Sequence, residues 1–178
     1  MIYLVTGFMR SGTSLMMQAL EAGGLPVVRN EARDQITRFH GGFAYEANPA
    51  GLYEVSPEEM EQPGFPRQHD GRAVKVVVAA LGHLAVHDYR VVCMHREARQ
   101  VVDSAWRAFR IKVTAATVRA WVDEGVKTLD NRRDVRDVQH VAYENVLADP
   151  ALVLKRLDWP IDAEAAAKVV KPELWRCR

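Results

Sequence analysis

The chain has 178 residues, 48% hydrophobic and 26% charged, enough for one domain over residues 1–178 with a sizeable core and too few for two. A formal net charge of +1 excludes the general attraction to nucleic acid or an anionic membrane that basic proteins show, so any anion affinity must come from local placement of charge. Its only cysteines, Cys93 and Cys177, make no disulfide framework and no zinc pattern, and no apolar stretch approaches the roughly 18 residues that span a bilayer; a soluble, unsecreted protein in a reducing cytoplasm is expected.

The chain opens with an apolar run, Met1 to Val5, that reads as a strand and leads into Thr6-Gly7-Phe8-Met9-Arg10-Ser11-Gly12-Thr13-Ser14. Leu15, Met16, Ala19 and Leu20 follow at helical spacing, and Gly23-Gly24 closes that helix. A strand that turns through glycines into a helix gathers free backbone N–H groups and the positive end of the helix dipole, which is an anion site. Leu25-Pro26-Val27-Val28 begins a short second strand. Residues 29–71 lose periodicity yet carry Phe39, Phe43, Tyr45, Tyr53 and Phe65, which suits an insert or lid facing a substrate.

Ala73-Val74-Lys75-Val76-Val77-Val78 and Tyr89-Arg90-Val91-Val92-Cys93-Met94 are continuous apolar runs of the kind buried on both faces of a parallel sheet. Helices are predicted over 98–109, 115–129, 151–157 and 163–170, and a last strand over 137–142. Strands alternating with helices predict an α/β fold, with a mainly parallel sheet between two helical layers. Ligands of such sheets sit beyond the carboxyl ends of the strands.

The spacing Gly7-x4-Gly12-Thr13-Ser14 resembles the P-loop of nucleotide triphosphatases, with Thr13 where the lysine stands and the cation moved to Arg10. Arg10-Ser11-Gly12-Thr13-Ser14-Leu15 is similar to the 5'-phosphosulfate loop of sulfotransferases, in which Arg or Lys precedes Ser-Gly-Thr. A second element, His95 to Phe109, sets Arg96 and Arg99 at the end of a strand and Ser104 on the next helix. It resembles the pattern in which that family holds a 3'-phosphate, with Ala98 where proline is usual. Tyr143-Glu144-Asn145-Val146-Leu147-Ala148-Asp149-Pro150 and Asn48-Pro49-Ala50-Gly51-Leu52-Tyr53-Glu54 resemble two further family segments, the former read as structural. Together the four span residues 2 to about 157.

The resemblance implies a three-layer α/β/α domain of the P-loop type that uses 3'-phosphoadenosine 5'-phosphosulfate (PAPS) as donor. Arg10 with Ser11, Gly12, Thr13 and Ser14 would hold the 5' end, and Arg96 with Ser104 the 3'-phosphate. A small-molecule or carbohydrate acceptor would offer a hydroxyl or amine. No metal is expected, because His95-Arg96 stands where a Walker B aspartate would help to hold magnesium. Removing the acceptor proton calls for a general base. Lys75 matches a family lysine at a strand end, but Val77 fills the position of the histidine that follows it. Glu31 matches a glutamate used by carbohydrate-modifying relatives and ranks first, followed by Glu54 and His40. A small P-loop kinase and a non-catalytic nucleotide-binding module are the competing functions. His69, His83, His87 and His140 show no metal-ligand spacing with cysteine, Trp106, Trp121 and Trp159 read as core, and Arg132-Arg133 with Arg136 reads as a solvated turn.

Overall fold

A computed structural model describes residues 1–30 and 51–171. In chain order the described elements are β1 (Ile2–Gly7), α1 (Thr13–Ala22), α2 (Pro57–Met60), α3 (Phe65–Gln68), β2 (Ala73–Lys75), a 3-10 helix (Val78–His83), β3 (Tyr89–His95), α4 (Ala98–Phe109), α5 (Ala115–Asp130), β4 (Val135–Ala142), α6 (Tyr143–Ala148), α7 (Pro150–Arg156) and α8 (Ala163–Ala167). The strands form one parallel sheet in the order β2-β1-β3-β4. β1 is buried along its whole length, since it has a neighbour on each side and helices over both faces.

Alternation along the strands separates the two faces. Tyr3, Val5, Val92 and Met94 pack with Met16 and Leu20 of α1, Val146 of α6, Leu154 of α7 and Ala166 of α8. Ile2, Leu4, Tyr89 and Val91 pack with Leu81 of the 3-10 helix, Val101 of α4, and Val118 and Leu129 of α5. The result is the expected mainly parallel sheet between two helical layers. Chain connections diverge between β1 and β3, because β1 is followed by β2 on one side while β3 lies on the other.

Several predicted boundaries change at the edges of the sheet. Leu25 to Val28 contributes a single bridge, Val27 to Ala73, instead of a strand, and β2 ends at Lys75 instead of running to Val78. Val76 N–H still donates to the Val5 carbonyl of β1 at 3.0 Å, and from Val78 the apolar residues coil into the 3-10 helix and bury Val78, Ala80 and Leu81 by another route. Residues 51–71 are less irregular than expected. Ser56 and Glu59 form a capping box, with Glu59 N–H donating to Ser56 Oγ at 3.3 Å and Ser56 N–H to Glu59 Oε2 at 2.8 Å, which starts α2 at Pro57. The last helix stops at Ala167.

Trp159 is core, against Tyr3 at 5.0 Å between ring centroids, whereas Trp106 and Trp121 are 43% and 48% exposed. The buried stripe of α4 runs through Val101, Ser104, Ala105 and Ala108, which turns Trp106 away from the sheet. Arg132 is no solvated turn residue: it pairs with Asp134 at 2.6 Å and donates to the carbonyls of Leu84 and Ala85. Among the described residues no helix is long and apolar enough to cross a membrane.

Candidate functional site

The glycine turn after β1 takes up conformations that few side chains allow. Gly7 has φ 152°, Arg10 φ 69° and Gly12 φ 98°. A Cβ on Gly12 would lie 2.4 Å from Cδ2 of Tyr143, and one on Gly7 2.7 Å from the Met94 carbonyl, so the turn is pressed against β3 and the start of α6. Ser11 N–H closes the turn on the Phe8 carbonyl at 3.1 Å and is thereby withdrawn from any ligand. The first bond of α1 runs from Met16 N–H to the Gly12 carbonyl at 3.0 Å, which leaves the amides of Thr13, Ser14 and Leu15 ahead of the helical ladder.

The two groups of candidate residues expected after different strands meet at this turn. Arg10 Nε donates to Ser104 Oγ at 3.0 Å, and Arg96 Nη1 donates to the Arg10 carbonyl at 3.2 Å. Ser104 is buried, held by α4 under the turn. Arg96 is aimed by Gln100 Oε1, which accepts from its Nε at 3.1 Å, and by the Tyr143 ring, 4.4 Å below its guanidinium. Arg10 lies 5.7 Å from the Phe109 ring centroid. Tyr143, expected only to pack, thus sets both the glycine turn and one of its arginines. Two guanidinium groups brought to one turn beside helix N–H groups make a place suited to a multiply charged oxyanion.

On the other side of the turn Lys75, 3% exposed at the end of β2, donates to the Leu52 carbonyl at 2.6 Å and to Ser14 Oγ at 3.1 Å. Glu54 Oε2 is 3.9 Å from the Lys75 ammonium, held there by a parallel bridge between the two residues. Of the expected base candidates Glu54 therefore adjoins the turn through Lys75 and Ser14. Glu31 and His40 lie outside the described residues, as do Asn48 and the tail from 172 onward. A cleft of about 240 Å³ opens beside the turn, lined by Phe8, Ser11, His95, Arg96, Val118 and Asp123. That is below the ~300 Å³ at which small-molecule pockets usually start.

A further group escaped sequence reasoning. Cys93, His95 and His140 gather on one face of the sheet, with His95 Nε2 2.7 Å from His140 Nδ1. Burial and then the neighbouring His140 push His95 below the ordinary imidazole range, and burial lifts the Cys93 thiol to about 12. Spacing along the chain gives no hint of the group, because His140 joins it through strand pairing with Cys93.

No family model and no curated protein sequence matches the chain. Its structure is similar to the sulfotransferase domain of the olefin synthase from Synechococcus PCC 7002, with a TM-score of 0.50 and 15% identity over 99% of this chain and 82% of that one. It is also similar to retinol dehydratase, solved with androsterone and the inactive cofactor PAP, with a TM-score of 0.46 and 13% identity over 95% of this chain and 63% of that one. On the first of these likenesses the chain has a sulfotransferase fold.

Proposed function

We propose that the chain is a sulfotransferase that moves a sulfuryl group from PAPS to a hydroxyl or amine of a small-molecule or carbohydrate acceptor. The observation that carries this reading is the meeting of Arg10, Arg96 and Ser104 at the glycine turn. The turn also fits a ligand with oxygens to offer: Ser11 Oγ is buried there without a hydrogen-bond partner among the described residues. PAPS supplies an activated sulfuryl group, whose bond to the phosphate oxygen breaks as the acceptor attacks sulfur from the opposite side.

Arg10 and the amides of Thr13, Ser14 and Leu15 meet the negative charge that builds on the departing phosphate oxygen. Arg96 and Ser104 hold the 3'-phosphate. Arg10, bonded to Ser104, belongs to both ends and ties the position of the leaving group to recognition of the 3'-phosphate. Lys75 orients the Ser14 hydroxyl, and Glu54 takes the acceptor proton. His95 ends β3 and Arg96 follows it, where a triphosphate site would carry an aspartate to hold magnesium.

Calorimetric titration in magnesium-free buffer tests the reading. The desulfated donor, 3'-phosphoadenosine 5'-phosphate, is expected to bind at least tenfold more tightly than adenosine diphosphate, and Arg96→Ala to remove most of that preference. Equal affinity for the two nucleotides would overturn it in favour of a kinase-like site.

A further inference from the structure

We propose that Cys93, His95 and His140 form a binding site for a divalent transition metal of the zinc class, adjoining the cleft that opens beside the glycine turn. Cys93 and His95 are two residues apart on β3 and so point to the same face, the one that Tyr89 and Val91 present to α4 and α5. His140 on β4 is the register partner of Cys93 and shares a face with Val138, which packs on that same layer. One candidate ligand atom from each residue lies within 4.8 Å of the other two.

The donor set selects the class of ion. One sulfur and two imidazole nitrogens suit zinc and its borderline-soft neighbours, and offer no oxygen for magnesium or calcium. His95 Nε2 and His140 Nδ1 face each other at 2.7 Å, so one nitrogen of each ring is turned toward the same space. In a tetrahedral site with zinc–nitrogen bonds of about 2.05 Å the two nitrogens stand about 3.3 Å apart, and the rings must separate by roughly 0.6 Å. His140 is exposed on the edge strand and can make that adjustment.

A second observation comes from β1. Thr6 is the register partner of Cys93 on its other side and faces the same helical layer as Leu4. Its hydroxyl is buried and has no hydrogen-bond partner among the described residues. Metal binding converts the Cys93 thiol to a thiolate, a stronger acceptor on the strand that neighbours Thr6. His140 is exposed, so solvent reaches the site from its side.

The test uses the whole metal-free chain and the metals alone. Titration with cobalt(II) is expected to saturate at one equivalent, with a sulfur-to-cobalt charge-transfer band in the near ultraviolet. Zinc calorimetry in buffers of differing ionisation enthalpy should show about one proton released, from the thiol, while the imidazole proton moves to the far ring nitrogen. Cys93→Ser should abolish the band, His140→Gln should weaken cobalt binding at least tenfold, and Cys177→Ser should leave both unchanged. His140 is exposed, so its variant keeps the fold, and it decides the matter if Cys93→Ser does not fold. No charge-transfer band in the parent chain, loss of the band in Cys177→Ser, or unaltered affinity in His140→Gln would each overturn the site.

Discussion

The two sides of the glycine turn are built on different principles. Toward β3 the cations are presented by the ends of interior strands: Arg10 follows β1, Arg96 follows β3, and each is braced by aromatic rings and by groups on α4. Toward β2 the sheet has only three residues of edge strand, and Lys75 is buried and engaged by Leu52, Ser14 and Glu54. Cations on the first side are half-buried and placed to meet a ligand, whereas Lys75 serves the fold while it orients Ser14. Ligand affinity should therefore follow the β3 side, and stability the β2 side.

Gly12→Ala strikes both sides and should have the largest effect. A left-handed φ and a Cβ 2.4 Å from the Tyr143 ring force the turn or the ring to move, at about 3 kcal/mol of stability in urea denaturation. Binding of 3'-phosphoadenosine 5'-phosphate should be lost with it. A variant of parental stability would show that the turn is not held by Tyr143.

Arg10→Ala separates the sides. Sulfuryl transfer from PAPS should fall by roughly a hundredfold, comparable to the removal of one oxyanion-hole donor, while the urea midpoint stays near that of the parent. Normal turnover would remove Arg10 from the mechanism. Lys75→Met should do the reverse, at about 2 kcal/mol of stability, because it withdraws a buried donor from the Leu52 carbonyl and from Ser14. Its nucleotide affinity should change by less than Arg10→Ala changes it, and the opposite ranking would erase the distinction between the two sides.

The same division governs how much could be read in advance. Interior strands have partners on both edges and helices on both faces, so local pattern and tertiary context agree. The apolar run into Gly7, the run from Tyr89, and the helix over 98–109 are therefore found where expected. Arg10, Arg96 and Ser104, candidates from spacing together with a family resemblance, are carried by or directly follow these elements. On the β2 side strand length depends on which distant segment supplies a bridge, and neither Val27 to Ala73 nor Glu54 to Lys75 has a local signature. The principal acceptor for Lys75 is a backbone carbonyl at Leu52, to which residue identity gives no clue. Cys93 and His140 were hidden for a related reason, since cross-strand register is set by the sheet as a whole. Residue type alone points Trp106 and Trp121 to the core, whereas the buried stripes of α4 and α5 pass elsewhere.

The smallest expected effect concerns pH and belongs to the β2 side. His69 follows α3 on the approach to β2, its ring edge-on to Phe65 with centroids 4.4 Å apart and its Nδ1 buried without a partner among the described residues. Burial first, and then the charge of Arg72, hold it below the ordinary 6.5, with Glu59 pulling the other way. In the unfolded chain the same imidazole takes up its proton near 6.5, so below that pH the unfolded state binds more protons than the folded one. Stability should accordingly decline as the pH falls through 6.5 and level off once the folded ring is protonated as well. His69→Gln removes this contribution and should flatten the decline in urea midpoints measured between pH 7 and 5, while His95 keeps part of the slope, since burial depresses it too. An unaltered slope in His69→Gln would assign the acid sensitivity to the β3 side, where His95 and His140 face each other, and would leave the β2 edge indifferent to pH.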